Sequence, residues 1–566
     1  MIAPAPSSPW RDHGRALALG LAGLAIRFDA LRAPPVHDDH AQLAMLRGTF
    51  PLRRAVWDLF AFVRPGEAPG LRVDGLLPWW SDDHFAIAMF RPLSSLALAA
   101  QLTLGGYRLA HAASALLFVA LVVAAADAFR ATLPRPTASI ATLLLALSPA
   151  ATLPLLWVAN QNALLAVLLG LVALCCLLRG RVALAHLALG LAALAGEYAL
   201  PMLGYAVALS LARRAPARRA ATLALSPLGP LLLARALGYG AANSMYLDPL
   251  GAPLRWLAEA PGRALLLTGA ALFGQSTGPD HHGAVFPASP AATVVGAAVL
   301  LAAFTLTVRR MDPAPRAAAI AWAVGAGLAL VPVLAAPPLP RLLLPAAPGV
   351  AALCAALCAA PLAHLRRGRT PTPAGAAAVA IALALLLVHA GLVPWEAHRG
   401  VRALAATFAR THDAIAAATP EVTPRSRCDV LLGALDLEAL HYPPMIWRER
   451  GARPSGCWRV LTSSVHPVVV TRLGARSLRV HSDGGTLVEP LALNAYRSSP
   501  MAVGNRLVAP DMTITVTEVL AGYPTALRLD LTEEIDAYAW WALRDGRMGR
   551  VPLSRMPGGL RVPLPY

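Results

Sequence analysis

The stretch GRALALGLAGLAIRFDALRAPPVHDDH, residues 14–40, runs from an apolar segment into an acidic pair flanked by histidines. Arg11 and Arg15 precede the apolar run Ala16 to Ile26, and no small-residue cleavage site of the usual kind follows. The run therefore reads as an uncleaved first membrane span rather than a signal peptide. Two adjacent carboxylates, Asp38 and Asp39, then stand at the expected membrane boundary. Their bland reading is a hydrated loop that begins with charges on leaving the bilayer; their functional reading is a general base, or a cation site, facing a lipid-borne substrate.

The rest of the chain is of the same kind. It has 566 residues, 57% of them hydrophobic and 14% charged, with a mean hydropathy of +0.56. Apolar runs of this length and frequency exclude a soluble globule and predict a polytopic membrane protein. The formal net charge of +18 comes from arginine alone, because the chain contains no lysine. That bias, with abundant Ala, Leu, Pro and Gly, suggests a GC-rich coding background. The arginines cluster at the ends of apolar segments, where the positive-inside rule places them, so membrane orientation explains them better than nucleic-acid binding.

About 20 apolar residues cross the hydrocarbon as a helix. Runs of that order lie at 14–31, 107–129, 137–157, 161–178, 220–237, 290–308, 316–335, 342–362 and 373–394. The stretch 182–212, interrupted by Gly196-Glu197, reads as two short tilted helices. The total is about 11 transmembrane helices. Alternating them puts Arg130 and Arg135, Arg179 and Arg181, Arg213 to Arg219, Arg309 and Arg310, and Arg366 to Arg369 on the cytoplasmic side. Ala264 to Phe273 is left without a partner crossing, and is expected to be re-entrant or interfacial.

The expected organisation is thus a transmembrane domain, residues 1–394, with a long first outer loop at 32–106 and an extracytoplasmic α+β domain at 395–566. Residues 400–418 read as an amphipathic helix. Val468-Val469-Val470, Thr513-Ile514-Thr515-Val516 and Leu527-Arg528-Leu529 read as strands, with turns at Ser482-Asp483-Gly484-Gly485 and Arg544-Asp545-Gly546. Cys175, Cys176, Cys354 and Cys358 lie in apolar stretches and read as core residues, whereas Cys428 and Cys457 could pair if the tail is outside the cytoplasm. Trp79, Trp80, Trp157 and Trp395 read as interfacial anchors.

Three acidic and histidine clusters fall on the expected outer face: His37-Asp38-Asp39-His40, Ser81-Asp82-Asp83-His84 and Asp280-His281-His282. Asp82, Asp83 and His84 are candidates for substrate binding because they share the first loop with Asp38 and Asp39. The third cluster reads as an ordinary polar loop. No fixed His or Cys spacing marks a metal site; a divalent metal at the carboxylates stays an open alternative. Arg91, Arg263 and Arg341 oppose the positive-inside trend at the starts of apolar segments. Each can snorkel to the interface, or hold a lipid phosphate with its planar fork. Glu197 interrupts an apolar run at a cost on the order of 2–3 kcal/mol on insertion scales, so it sits at the water boundary or contacts a substrate or one of the arginines.

The order of these features carries a resemblance. An Asp-Asp pair after the first span, a long loop, Phe90-Arg91-Pro92-Leu93, Gly105-Gly106 and His111 resemble the GT-C glycosyltransferases. The pattern is similar to that of the transmembrane and tetratricopeptide-repeat protein O-mannosyltransferases, within the wider group of dolichyl- or undecaprenyl-phosphate-sugar enzymes. It continues through Ser148-Pro149 and Trp157-Val158, Gly196-Glu197 and Pro201, Asp248-Pro249-Leu250 and Arg263, to Arg341 before a Leu-rich span, covering about residues 14–394. Departures are Asn160-Gln161 where the family tends to Gly-Arg, the absence of a lysine before Glu197, and a tail without tetratricopeptide repeats.

The resemblance implies a GT-C-like α-helical polytopic membrane protein, here with a small C-terminal β-rich domain. It also implies an inverting transfer of a sugar from a polyprenyl-phosphate donor to an envelope acceptor: protein, lipid or polysaccharide. Asp38 or Asp39 would take the acceptor proton, and Arg91, Arg263 and Arg341 would stabilise the departing phosphate. Implied partners are the lipid-linked sugar, membrane lipid and the acceptor, with no nucleic acid and no certain cofactor, at a bacterial inner membrane. The alternatives are a non-catalytic relative in envelope assembly and a transporter. A transporter predicts ionisable groups deep within several spans or repeated halves, whereas this sequence has few charges within its spans and no such repetition.

Overall fold

The computed structural model describes residues 9–562 apart from 215, 279–283, 367–371, 419–426, 435, 453, 455, 545–546 and 554–559. In hydrocarbon a backbone must satisfy its own N–H and C=O groups, and the apolar runs accordingly form helices. These occupy Pro9–Ile26, Pro92–Thr132, Arg135–Leu147, Gln161–Leu178, Val182–Ala195, Ala199–Ala212, Ala217–Ala236, Pro290–Arg309, Pro313–Val333, Ala347–Arg366 and Pro373–Leu386.

Each expected span falls on one of them. Among the described residues, five helices are long and apolar enough to cross a membrane. A sixth crossing arises if Arg135–Leu147 and Pro149–Leu156, bent by 41°, count as one broken span, and four further apolar helices are shorter. The chain is an integral membrane protein with a mostly helical body. Ala264 to Phe273, expected to be re-entrant or interfacial, forms the second half of the helix Pro253–Phe273, after Pro261.

Two features of the body position the first loop. Gly106 has φ 61° and ψ −157°, breaking the helix Pro92–Thr132 so that its first turns lean away from the expected span 107–129. A Cβ would strain that backbone, which accounts for glycine there. Arg27, fully buried at the end of the first helix, donates to the carbonyls of Gly23, Ala146, Leu147 and Ser148 and to the Thr152 hydroxyl. A buried guanidinium tolerates the lack of a carboxylate only when its donors are met in this way. Arg27 thereby fixes the start of the loop against the bend at Ser148-Pro149.

The buried apolar residues form two large clusters. One lies within the helical body. The other is shared between the first loop (Ala41 to Phe85) and the tail (Ala414 to Leu553), so these segments, far apart in sequence, fold around common side chains. Trp79 and Trp80, expected at the membrane interface, belong to this second cluster. They are buried, and their indole N–H groups donate to the carbonyls of Leu461 and Ala492. The aromatic pair is there because a buried indole needs an acceptor and the tail backbone supplies one. Trp395 is 59% exposed.

In the tail, a six-stranded antiparallel sheet has the order Leu560–Val562, Val468–Arg472, Ser477–Ser482, Tyr523–Leu531, Met512–Leu520 and Arg506–Val508. The alternating burial of Met512–Leu520 is the period-two pattern that the sequence displays. A four-stranded sheet orders Arg547–Arg550, Ala539–Arg544, Asp429–Leu431 and Trp458–Val460. A Cys428–Cys457 disulfide joins the residues that precede its last two strands. Asp545-Gly546 of the expected turn, and Asp280-His281-His282, lie outside the described residues.

The expected amphipathic helix is Val393–Ala417, which follows Pro373–Leu386 through a π-helical turn at Leu387–Leu392 without a break. Its Val401 and Leu404 pack in the first cluster, and its Ala414 and Ile415 in the second. The expected boundary at residue 394 thus runs through a continuous helix.

Candidate functional site

After Pro34-Pro35 the chain turns at His37, which holds a positive φ of 49°. A non-glycine residue in that region is strained and persists only when its surroundings hold it. They do so here. The His37 N–H donates to Glu438 Oε2 at 2.9 Å, and its ring Nδ1 lies 3.2 Å from the same oxygen. The ring packs edge-on against Trp157 and Phe408, with centroids at 5.9 and 5.1 Å. The helix Asp38–Leu46 begins immediately afterwards, with both aspartates in its first turn, where the helix dipole favours negative charge.

The two aspartates have different surroundings. Asp39 is 1% exposed, and both its oxygens are occupied: Oδ2 accepts the Val36 N–H at 2.9 Å and Oδ1 the Ala159 N–H at 2.7 Å. Burial pushes its carboxyl up to about 7, against the pull of those two N–H groups. Its geometry is that of a clasp between the loop and residues 158–160. Asp38 is half-buried and accepts the Tyr442 hydroxyl on Oδ1 at 3.0 Å. Among the described residues no donor is bonded to Oδ2. Burial raises its pKa, opposed by His37, the Tyr442 hydrogen bond, and the positive charges of Arg341 and Arg91.

Arg341 emerges from the short 3₁₀ turn Pro340–Leu343 and lies over the Trp157 ring, 4.9 Å from its centroid. Its Nε is buried without a partner, and it makes no ion pair among the described residues. Arg91 precedes the helix Pro92–Thr132 and donates from Nε to Glu197 Oε2 at 2.9 Å, with its NH2 at 2.8 Å from the same oxygen. Glu197 therefore contacts an arginine, one of the readings its position allowed. Gly196 makes the close packing there: a Cβ would come within 2.9 Å of the Asn162 amide nitrogen and 3.7 Å of Arg91 Nε.

The remaining sequence candidates are engaged elsewhere. Arg263 donates to the carbonyls of Met245 and Leu334 and to Glu259, at 3.0, 3.3 and 3.1 Å. Asp82 accepts the Ser498 N–H and hydroxyl at 2.7 and 2.8 Å and pairs with Arg497 at 3.5 Å. Asp83 pairs with Arg72 at 2.5 Å, and His84 is exposed. Asp82 and Arg263 fasten segments together, and Asp83 is an exposed partner of Arg72.

The tail's part in this site has no local signature in the sequence. Tyr442 and Glu438 reach the first loop from about 400 residues away. The one hint is compositional: Glu438, His441 and Tyr442 form a polar, aromatic cluster in an otherwise apolar stretch. Trp157, expected as an interfacial anchor, is the platform under Arg341.

No protein-family model matches the chain, and no curated protein sequence matches it. In structure it is similar to ArnT from Cupriavidus metallidurans bound to undecaprenyl phosphate, with 15% identity and a TM-score of 0.42 over 91% of this chain and 98% of that one. It is similar also to the archaeal oligosaccharyltransferase AglB from Archaeoglobus fulgidus in complex with an inhibitory peptide and a dolichol-phosphate. There the identity is 14% and the TM-score 0.41, over 79% of this chain and 64% of that one.

Proposed function

We propose that the chain is a GT-C-type glycosyltransferase that moves a sugar from a polyprenyl phosphate to an envelope acceptor, with inversion, on the outer face of a bacterial plasma membrane. The observation that carries this reading is that Asp38 and Arg341 stand about Trp157, whose ring meets the His37 ring next to Asp38 and lies under Arg341, with no ion pair between the two among the described residues. Asp38 has one oxygen anchored by Tyr442 and the other without a donor among the described residues. It feels the charge of an arginine that has no carboxylate of its own there.

Those are the two groups that such a transfer requires. The acceptor oxygen or nitrogen attacks the anomeric carbon, the carbon–oxygen bond to the phosphate breaks, and the polyprenyl phosphate departs with the electron pair. The acceptor's proton passes to Asp38, which acts as general base. The leaving group is already a phosphate ester, so it needs charge stabilisation more than an acid. Arg341 supplies a planar fork of donors for it. Arg91 is spoken for by Glu197, and adds its field to the site rather than an unpaired fork. Asp39 positions the loop and does no proton transfer in this scheme. The motif order from Asp38-Asp39 to Arg341 supports the same assignment.

The test is mass spectrometry of glycans and glycolipids from cells lacking the gene, complemented with wild type or Asp38→Asn. The expected result is a sugar-bearing species lost on deletion, restored by wild type and not by the variant. An unchanged profile on deletion, or full restoration by Asp38→Asn, refutes the reading.

A further inference from the structure

His40, His412 and Glu438 meet where three segments cross: the loop helix Asp38–Leu46, the long helix Val393–Ala417 and the tail helix Leu437–His441. One ligating atom from each lies within 4.8 Å of the other two. The His40 and Glu438 side chains are 0% and 2% exposed. The two imidazoles stack, with ring centroids 5.4 Å apart and planes 9° from parallel.

The hydrogen bonding in this cluster does not close. His40 Nδ1 lies 3.1 Å from Glu449, the partner to which a neutral ring would donate its single proton. Nε2 then turns a lone pair toward Glu438 Oε1, which is only 2.8 Å away, and the contact lacks hydrogen-bond geometry. Two lone pairs at that distance repel unless a proton lies between them or a metal ion beside them binds both. A second proton on His40 would relieve the contact, yet it leaves His412 Nδ1, also buried, without any partner. A metal ion answers all three groups at once.

We propose that His40, His412 and Glu438 bind one zinc ion. Two imidazole nitrogens and a carboxylate form a ligand set that zinc takes, whereas magnesium and calcium favour oxygen throughout. Glu449 on the far nitrogen of His40 supplies the outer carboxylate that commonly orients a zinc-bound histidine. Glu438 Oε2 stays with the His37 N–H, so ligation through Oε1 leaves that clasp intact. The other group of suitable residues, Cys428, Cys457 and Asp511, is unsuited because its cysteines are bonded to each other. The ion ties the loop, the long helix and the tail at one point, and holds the strained His37 that sets Asp38. The site does not depend on the sugar-transfer reading, because metal content is measured without any substrate.

The test uses the full chain in detergent, purified without chelator or metal-affinity resin, with zinc as the probe. Elemental mass spectrometry is expected to find about one zinc per chain, as purified or after zinc addition and desalting. His412→Gln should weaken binding by at least the ~10–100-fold that loss of an outer-shell partner costs elsewhere. Glu449→Gln should weaken it by about that amount, and Asp38→Asn should leave it unchanged. A wild-type chain that takes up no zinc, or a His412→Gln chain that keeps it all, overturns the proposal. If His412→Gln does not fold, zinc-edge X-ray absorption of the wild type decides: nitrogen and oxygen ligands with two imidazoles support the site, and sulfur or purely oxygen ligands overturn it.

Discussion

Asp38 and Asp82 each belong to an Asp-Asp pair followed by a histidine, in the same loop and against the same tail. Asp82 meets Arg497 and Ser498, which use its charge and its lone pairs to hold the tail in place. Asp38 meets a single hydroxyl, from Tyr442, and is left facing arginines. The second aspartates differ as well: Asp39 is clasped by two backbone N–H groups, and Asp83 is an exposed member of an ion pair with Arg72. Reactivity follows from what a carboxylate's neighbours leave unfilled. The Asp-Asp-His sequence is the same in both places, with His37 before one and Ser81 before the other.

The strongest way to break this comparison is to replace each acid in turn. Asp38→Asn should lower sugar transfer in reconstituted membranes by about 10²–10⁴-fold, the range for losing a general base, while Asp82→Asn should stay within a few-fold of wild type. Equal losses at both positions would erase the distinction.

A second test probes the seam between loop and tail that holds both pairs. His441 of the tail lies in that seam: its Nδ1–H donates to the Leu76 carbonyl at 2.8 Å, and its Nε2 accepts the Tyr496 hydroxyl at 2.5 Å. Burial holds its pKa down to about 4. The unfolded chain takes up that proton near the ordinary histidine value of about 6.5, and the folded chain only near 4. Between those values the unfolded state binds more protons, so stability falls as pH drops from about 6.5 to 4, by ~3 kcal/mol at full extent. Thermal unfolding in detergent across that window should show the loss, and His441→Gln should flatten it. An unchanged slope in the variant would remove His441 from the seam.

Arg341→Lys sharpens the comparison on its basic side. It keeps the charge near Asp38 and loses the planar fork, so transfer should fall about tenfold, less than for Arg341→Ala, which should fall ~10²-fold. Equal activity of Arg341→Lys and wild type would show that only the charge matters. The smallest expected effect is that of Asp82→Ala on stability, about 1 kcal/mol, because the site is partly exposed and its partners can turn to water. Denaturation of the two chains side by side measures it.

Much of the body was legible in the sequence. Hydrocarbon leaves the backbone few options, so apolar runs such as 161–178 and 290–308 mark helices almost to the residue. The strands at Val468, Thr513 and Leu527 were legible for a similar reason, since one face of each is buried and alternation records it. The site was legible only in part. Asp38 and Arg341 stood out as charges at the ends of apolar segments. Tyr442 and Glu438 did not, because what matters about them is a contact across some 400 residues, and such a contact leaves no local period. Trp79 and Trp80 misled for the same reason: an aromatic pair beside a span looks the same whether it meets lipid headgroups or, as here, the carbonyls of a distant domain.

The unbroken helix from Pro373 to Ala417 has 45 residues. At 1.5 Å per residue its contour is about 68 Å, roughly twice the ~30 Å of a bilayer's hydrocarbon. About half of it therefore lies outside the hydrocarbon as a mast. Val401 and Leu404 pack in the core of the helical body and Ala414 and Ile415 in that of the tail, so the mast sets the spacing between body and tail. Inserting or removing a helical turn between the two packed ends would move the tail away from the body or toward it, like a float on a fixed stem.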